Sequence, residues 1–286
     1  MGGIAAILIL MLVLDAVYTK IYERATPRTK FQYFRSLKNQ KVDYIFLGSS
    51  RVENGIVPSV IKQKTGKLAV NFGFQAAKLV DIYTLLQLVK EYNIRYEIIL
   101  IQVDYIYNFE AGHSNIFEFE MMPFVRDNVV TKNYLDTHVE NPLANYYVPF
   151  YRYCRNDLKL GLREIFANII HKKNNMIATD GYSAAFGNTT EMSGALPAVI
   201  LDKNSTMDSI ESFVIKNKMK VIFYCAPFCK NNQNQDYTAK LKARIAGFKD
   251  FSRVITDDRM FHNCNHLNDI GAKRFTEIFA EEVLMK

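Results

Sequence analysis

Two short stretches, far apart in the chain, contain the side chains best suited to nucleophilic chemistry. In the first, Asp43–Glu53, an apolar run stops at Gly48 and is followed by Ser49 and Ser50. A buried strand that ends this way lifts a small hydroxyl clear of the sheet and points the following amides at one spot, which can hold a developing oxyanion. Gly and Ser are also ordinary turn residues, so the serine needs a catalytic partner elsewhere. We predict that Ser50 is the nucleophile.

The partner lies near the carboxyl terminus, in the stretch Phe261–Ala272. There His266 ends a loop just before an amphipathic segment. A histidine can take the proton of an attacking serine and later return it to the leaving group. We therefore predict that Ser50 and His266 act as a pair.

The remainder of the chain must bring these two side chains together. From Lys41 onward, short apolar runs alternate with amphipathic segments, which is typical of βαβ units and a parallel sheet. Strands are predicted at 44–47, 68–72, 98–103, 220–226 and 253–256. Helices are predicted at 58–64, 78–91, 239–248 and 268–284, and another begins near residue 205. Ser50 follows the first strand and His266 precedes the last helix, so a flavodoxin-like sheet places both at its carboxyl edge.

Together the two stretches resemble the SGNH (GDSL-type) hydrolase superfamily, in its membrane-anchored envelope branch. Gly48-Ser49-Ser50 matches the first sequence block of that branch, and His266 matches the late histidine of an Asp-x-x-His motif. Gly73 occupies the place of the second block, whose glycine amide joins the amide of Ser50 in the oxyanion hole. The resemblance covers residues 41–109 and 221–283. It implies an α/β fold, a flavodoxin-like three-layer α/β/α sandwich with a central parallel sheet, and neither cofactor nor metal.

The resemblance also implies a function. Its members use a Ser-His acyl-enzyme mechanism, in which Ser50 would attack an ester carbonyl and His266 would take and return the proton. The expected substrate is an ester, most simply acetyl, of an envelope or extracellular polysaccharide. The acceptor is either water or a sugar hydroxyl, so both an esterase and an O-acyltransferase are expected. A membrane-bound acyltransferase is an expected partner.

Two positions depart from the pattern of the superfamily. The third strand is followed by Gln102-Val103-Asp104-Tyr105 instead of Gly-x-Asn-Asp, so an amide that donates to the oxyanion is missing and Asp104 is expected to be structural. Asn263 stands where the triad aspartate belongs, and an amide orients an imidazole without stabilising an imidazolium. Asp257 or Asp258 is an alternative third member. These departures keep a second function open: a catalytically impaired module that binds a glycan or a membrane acyltransferase.

The amino terminus differs from that of a soluble enzyme. Residues 2–19 are almost entirely apolar, broken by Asp15, which is close to the length of a membrane-spanning helix. We predict an anchor at 1–19 and a connector at 20–40, with a signal peptide or a buried helix as alternatives. The basic residues that follow would favour a cytoplasmic domain. The resembling families keep their catalytic domain outside, and we predict a membrane-anchored, extracytoplasmic protein.

The chain of 286 residues, 49% of them hydrophobic, can bury one sizeable core, so we predict one α/β/α domain at 41–286. The alternation lapses between about 105 and 204, where helix candidates at 117–127 and 157–171 precede a glycine- and hydroxyl-rich stretch at 180–194. An insertion of this length is too long for a plain loop. We expect a helical cap over the site.

The net charge of +7 arises from 36 basic and 29 acidic residues that are interspersed. This distribution, with no nucleic-acid motif, argues against nucleic acid as a partner. The cysteines are Cys154, Cys225, Cys229 and Cys264. Cys225 or Cys229 follows the fourth strand at the edge that Cys264 shares, so a disulfide beside the site is one expectation and free thiols are the other. A zinc site with His262 or His266 lacks a recognised ligand spacing.

Overall fold

Strands and helices alternate along the chain, and a helical region interrupts them. The computed structural model describes residues 2–188 and 192–285; Met1, Lys286 and residues 189–191 of the hydroxyl-rich stretch lie outside them. The strands are β1 (Tyr44–Gly48), β2 (Ala69–Gly73), β3 (Ile98–Gln102), β4 (Gly194–Ala195), β5 (Val221–Cys225), β6 (Asn232–Gln233), β7 (Lys249–Asp250), β8 (Phe261–Asn263) and β9 (His266–Leu267).

The α-helices fall into three groups along the chain. Before the irregular region lie α1 (Gly2–Arg24), α2 (Lys30–Ser36), α3 (Ser50–Glu53), α4 (Pro58–Thr65) and α5 (Leu79–Glu91). Within it lie α6 (Asn115–Met121), α7 (Val129–His138), α8 (Pro142–Tyr147), α9 (Tyr151–Arg155), α10 (Asp157–Leu160), α11 (Leu162–Ile169) and α12 (Asn175–Ala178). After it come α13 (Ser205–Lys216), α14 (Asp236–Arg244) and α15 (Asp269–Phe279). Short 3-10 turns occur at Tyr105–Asn108, Met122–Phe124 and Asp258–Met260, and a π-helical turn at Ala280–Leu284.

Five strands form a parallel sheet in the order β2-β1-β3-β5-β7, which is the flavodoxin-like order. Successive residues of β1 enter different cores. Ile45 and Leu47 pack in one hydrophobic cluster, with residues of α5 and α13, whereas Tyr44 and Phe46 pack in the other, with residues of α4 and α15. Both faces of the sheet are therefore covered by helices, as expected for buried parallel strands. The predicted α/β class with a central parallel sheet is confirmed.

The prediction of a strand at 253–256 is wrong. The edge strand is β7, which pairs with the final residues of β5, Tyr224 with Lys249 and Cys225 with Asp250. The chain then turns, and the Val254 N–H donates to the Phe251 carbonyl. Pairing with the end of β5 places the strand at 249–250, although the apolar residues that suggested it come later.

Among the described residues, the helices of the insertion do not form a cap over the site. They pack against helices at the start of the chain and α5, since α11 contacts α1, α6 contacts α2 and α7 contacts α5. Residues 180–188, here called the strap, do reach the site. The Asn71 N–H donates to the Asp180 carbonyl at the edge of β2. Gly181 has a φ of +93°, and a Cβ there would lie 2.0 Å from the Asn71 oxygen, so glycine is required for this close approach.

The amino-terminal helix continues beyond the predicted anchor and is fixed to the domain. Residues 2–10 are exposed, whereas Asp15, Tyr18 and Tyr22 of the same helix are buried. Asp15 accepts hydrogen bonds from the two terminal nitrogens of Arg152, at 2.9 and 2.7 Å, and its carboxylate also pairs with Arg126. By length and composition alone α1 is apolar enough to cross a membrane.

The predicted connector at 20–40 is part of the core. Phe31 and Phe34 of α2 are fully buried, and Lys30 is 1% exposed. The aromatic residues of this segment pack α2 against the sheet, and the Phe34 ring contacts the Phe72 ring of β2. The boundaries predicted at residues 19 and 40 therefore do not separate an anchor from a domain.

We expect Asp15→Asn to destabilise the full-length protein by about 3–5 kcal/mol, because it leaves the buried Arg152 guanidinium without a countercharge. Glu23→Gln, in the same helix, removes an exposed partner of Lys20 and should cost no more than about 1 kcal/mol. Urea unfolding in detergent measures both. Equal stability of the two variants would show that α1 is not held by Asp15.

Candidate active site

The Ser50 hydroxyl is presented by a strand-to-helix turn at the carboxyl edge of the sheet. Strand β1 ends at Gly48, and Ser49 caps the short helix α3 by accepting a hydrogen bond from the Arg51 N–H at 3.3 Å. The Ser49 N–H and hydroxyl both donate to the Gln102 side-chain oxygen at 2.9 Å. These bonds hold the Ser49 side chain in the interior of the domain. Ser50 follows at the first helical position and is partly exposed.

Ser50 and His266 are brought together across 216 residues. Ser50 Oγ lies 2.8 Å from His266 Nε2, and His266 Nδ1 lies 3.0 Å from Asn263 Oδ1. The Asn263 oxygen also accepts from the backbone N–H groups of Asn265 and His266, at 3.0 Å each, which fixes the orientation of its amide. Nδ1 therefore carries the ring proton, and Nε2 is left to accept the proton of Ser50.

A hairpin holds Asn263 and His266 in this arrangement. Strands β8 and β9 pair antiparallel, with Asn263 opposite His266. Cys264, in the turn between them, forms a disulfide with Cys229, and the Cys229 N–H donates to the Cys264 carbonyl at 3.1 Å. The loop after β5 is thereby fixed to the histidine hairpin.

The disulfide decides between the cysteine alternatives. Its partner is Cys229, whereas Cys225 is a buried free thiol and Cys154 an exposed one. The zinc alternative fails because the Cys229 and Cys264 sulfurs are bonded to each other. Residues 2–188 and 192–285 contain no group of three or more metal-binding side chains.

Neither upstream aspartate serves as the third member of the triad. The Asp257 carboxylate accepts three hydrogen bonds from the Arg259 guanidinium, two from Nε and one from Nη2, and a fourth from the Arg259 backbone N–H. Asp258 pairs with Lys230 at 3.6 Å. The predicted position, Asn263, is the partner of Nδ1, and it brings no charge.

His266 is held in its neutral form. Burial lowers its pKa to about 4, and the nearby positive charge of Arg51 acts in the same direction, as does His262. A carboxylate at position 263 would oppose both effects, but an amide does not. The imidazole is therefore free to accept a proton over most of the pH range, and its protonated form is poorly stabilised.

The two predicted oxyanion donors differ in their availability. Within the part of the chain that the structure describes, the Ser50 N–H has no acceptor. The Gly73 N–H donates to Asn71 Oδ1 at 3.0 Å and so is already engaged. A Cβ on Gly73 would lie 2.3 Å from the Glu53 nitrogen, so this glycine allows β2 to pack against α3. The structure assigns it a packing role, and donation to an oxyanion would require the bond to Asn71 to break.

Arg51 is a residue of the site that sequence analysis did not single out. Its buried guanidinium donates to the carbonyls of Ala226, Pro227 and Asn265. It also forms an ion pair with Asp104, with Nε 2.6 Å from Oδ2. Asp104 is thus structural, as expected, and it accepts from the Gln102 amide at 2.5 Å. The sequence does place a carboxylate, Asp104, just after the buried strand β3. A carboxylate in such a position indicates a positively charged partner, which here is Arg51.

The back of the site is supported from the amino terminus. Lys30 of α2 donates to the Gly73 carbonyl and pairs with Glu53 at 3.4 Å. Glu53 lies three residues after Ser50, and its carbonyl accepts from the Ser183 N–H of the strap at 3.0 Å. The strap continues to the histidine side, where the Asp269 N–H donates to Ala185 at 2.7 Å. Helix α2 and the strap therefore both hold α3, and the strap also connects α3 to the start of α15.

We expect His266→Gln to weaken the pH dependence of stability. The folded-state pKa of His266 is about 4 and its ordinary value 6.5, so the unfolded chain binds the extra proton in this window. The neutral histidine contributes stability that is complete above pH 6.5 and is lost as pH falls to about 4. Urea unfolding across this window should show a smaller loss in the variant than in the parent.

Asn263→Asp should raise the pKa of His266. The new carboxylate would occupy the position of an oxygen 3.0 Å from Nδ1 and stabilise the imidazolium. NMR titration of the ring signals measures the pKa, with exposed His171 as internal reference. If the His266 signal titrates at the same pH in both proteins, Asn263 does not contact the ring in solution.

Comparisons with known proteins assign no family to the chain. No protein-family model matches it, and no curated protein matches its sequence significantly. The resemblance to the SGNH superfamily therefore stays a prediction, carried by the stretches around Ser50, Gly73 and His266.

Proposed function

We propose that the protein is an SGNH-like serine esterase or O-acyltransferase. The observation that carries this proposal is the relay from Ser50 Oγ through the His266 ring to Asn263 Oδ1, with both links at hydrogen-bond distance. A neutral imidazole whose acceptor nitrogen faces a serine hydroxyl is the arrangement that nucleophilic acyl transfer requires.

In the proposed reaction, Ser50 Oγ attacks the carbonyl carbon of an ester while its proton passes to His266 Nε2. The carbonyl oxygen becomes an oxyanion, and the Ser50 N–H is its available donor. When the ester bond breaks, His266 returns the proton to the leaving alcohol and an acyl-serine remains. His266 then removes a proton from water or a sugar hydroxyl, whose oxygen attacks the acyl-serine, and His266 returns the proton to Ser50 Oγ as the bond between the acyl group and the serine breaks.

The missing charge at Asn263 predicts slow turnover. In a serine protease, replacing the triad aspartate by asparagine lowers turnover by about 10⁴. Here the amide oxygen keeps the imidazole in the required tautomer, because it accepts from Nδ1. What it does not supply is compensation for the positive charge that forms on the ring during proton transfer.

We further propose a membrane-anchored protein with its catalytic domain outside the cytoplasm. Disulfides persist in oxidising compartments, so the bond between Cys229 and Cys264 supports this side of the membrane. The exposed apolar half of α1 supports an anchor. The expected substrate is an acylated polysaccharide of the envelope or cell surface, and a membrane-bound acyltransferase is the expected protein partner.

A second candidate function is a catalytically impaired module that binds a glycan or a membrane acyltransferase. Three groups that would stabilise charge in the reaction are either already hydrogen-bonded elsewhere or uncharged, which favours this function. The Gly73 N–H is bonded to Asn71, the Gln102 amide is bonded to Asp104, and Asn263 carries no charge. Such a module would keep the Ser50 and His266 geometry without measurable ester turnover.

Ester hydrolysis by the full-length protein in detergent separates the two functions. We expect slow release of p-nitrophenol from p-nitrophenyl acetate, and a loss of about 10³-fold or more in Ser50→Ala. Ser59→Ala, an exposed serine on α4, is the matched control and should retain the parent rate. Equal rates in the Ser50→Ala variant and the parent would exclude Ser50 as the nucleophile. If the parent shows no turnover and Asn263→Asp restores none, the binding module is the better description.

A further inference from the structure

A cavity of about 600 Å³ lies where α1 meets the helical insertion. One wall is a stripe along α1, namely Leu12, Asp15, Ala16, Thr19, Lys20 and Glu23. The opposite wall includes Arg126, Tyr146 and Tyr147 of the insertion. At 1.5 Å per residue the stripe is about 16 Å long. None of Ser50, Asn263 and His266 lines the cavity, which has no part in the proposed reaction.

The polarity of this cavity changes along the helix. Its apolar end, at Leu12, is nearer the amino-terminal part of α1, where residues 2–10 are exposed and mostly apolar, and Asp15, which pairs with Arg126, lies about one turn further along. Its charged end, at Lys20 and Glu23, lies further from that part. If the exposed apolar part of α1 is in the bilayer, the apolar end faces the hydrocarbon and the charged end faces the headgroups and water. A phospholipid has the same polarity in the same direction.

The lining residues carry three positive and three negative charges, but one of the carboxylates, Asp127, pairs with Arg35 outside the lining, so one cation is left in excess. Asp15 is shared by two guanidinium groups, Arg152 at 2.7 Å and Arg126 at 3.2 Å. Lys20 pairs with Glu23, and the other lining carboxylate, Asp127, pairs with Arg35. The Arg126 side chain is 39% exposed, whereas Arg152 is buried. The excess charge is therefore accessible at Arg126, and a phosphate monoester or diester group is its natural counterion.

The surface next to the cavity fits the boundary of a bilayer. Tyr147 is 64% exposed, and Leu143 and Val148, on the same segment, are 69% and 41% exposed. Arg126 connects this segment to α1, since it donates to the Tyr146 carbonyl and to Asp15. Tyrosines are enriched at membrane interfaces because the ring is apolar and the hydroxyl is polar. The apolar surface of α1 thus continues onto the insertion.

We propose that this cavity binds one phospholipid of the bilayer. Its phosphate contacts Arg126, and its acyl chains lie along the exposed side of α1 beyond Leu12. The proposal depends on the membrane placement of α1 proposed above and not on catalysis by Ser50. A free phosphate would use Arg126 but would leave the apolar end of the cavity unoccupied, so lipid is the expected source of the phosphate.

Native mass spectrometry of the full-length protein, purified in a mild detergent, tests the site. We expect one retained phospholipid per chain, and a reduction of about tenfold or more in retained lipid for Arg126→Gln, which removes a charge-assisted hydrogen bond. Ala16→Phe should have the same effect by filling the cavity, and it leaves the ion pairs of Asp15 in place. Arg155→Gln is the matched control, because Arg155 pairs with Glu140 on the insertion outside the cavity. Equal lipid retention in Ala16→Phe, Arg155→Gln and the parent would overturn the proposal.

Two further experiments identify the source of the phosphate and distinguish failure of the lipid site from failure of the membrane anchor. If inorganic phosphate or glycerophosphoethanolamine displaces the lipid at equimolar concentration, the site recognises the headgroup alone and the lipid assignment is wrong. Carbonate extraction of membranes tests the anchor independently. Release of the parent by carbonate would refute the anchor and, because the lipid proposal rests on the anchor, the lipid site with it. Retention of the parent in the membranes together with unchanged lipid in Arg126→Gln and Ala16→Phe would refute the lipid site alone.

Discussion

The buried guanidinium of Arg51 is the contact on which the candidate site depends. It follows Ser50 directly and donates to the carbonyls of Ala226, Pro227 and Asn265. One side chain therefore joins the serine helix, the loop after β5 and the hairpin that carries the histidine. Its charge is balanced by Asp104, and without that partner it would be an uncompensated buried charge. The disulfide to Cys264 joins the same loop and hairpin covalently.

The amino-terminal helix is a rigid support and not a flexible tether. Asp15 fixes α1 to the insertion through Arg152, and Lys30, shortly after α1, pairs with Glu53 behind the serine. Buried ion pairs thus hold both α1 and the helix that follows it, the first to the insertion and the second to α3. A rigidly held site is consistent with the membrane-surface substrate or partner proposed above.

The site combines an assembled proton relay with a poorly developed electrostatic environment. The distances from Ser50 through His266 to Asn263 are those of a working triad. Burial and Arg51, however, keep the imidazole neutral, and the Gly73 amide is engaged by Asn71. Proton acceptance is thus favoured, whereas stabilisation of the charges that develop in the reaction is limited. This imbalance fits either a slow acyl transferase or a module that has retained the geometry of one.

Local pattern in the sequence determined the strands β1, β2, β3 and β5 to within a residue or two, because apolar runs and their spacing reflect burial directly. The motifs around Ser50 and His266 likewise indicated which side chains meet, since both follow from strand order. Tertiary structure decided what has no local signal: the short edge strand β7, the choice of Cys229 over Cys225, and the burial of Asp15 against Arg152. It also decided that the Arg51 guanidinium joins three segments of the site, and that the Gly73 N–H donates to Asn71. Each of these depends on a partner that is distant in the chain, and periodicity carries no information about which distant group a side chain will contact.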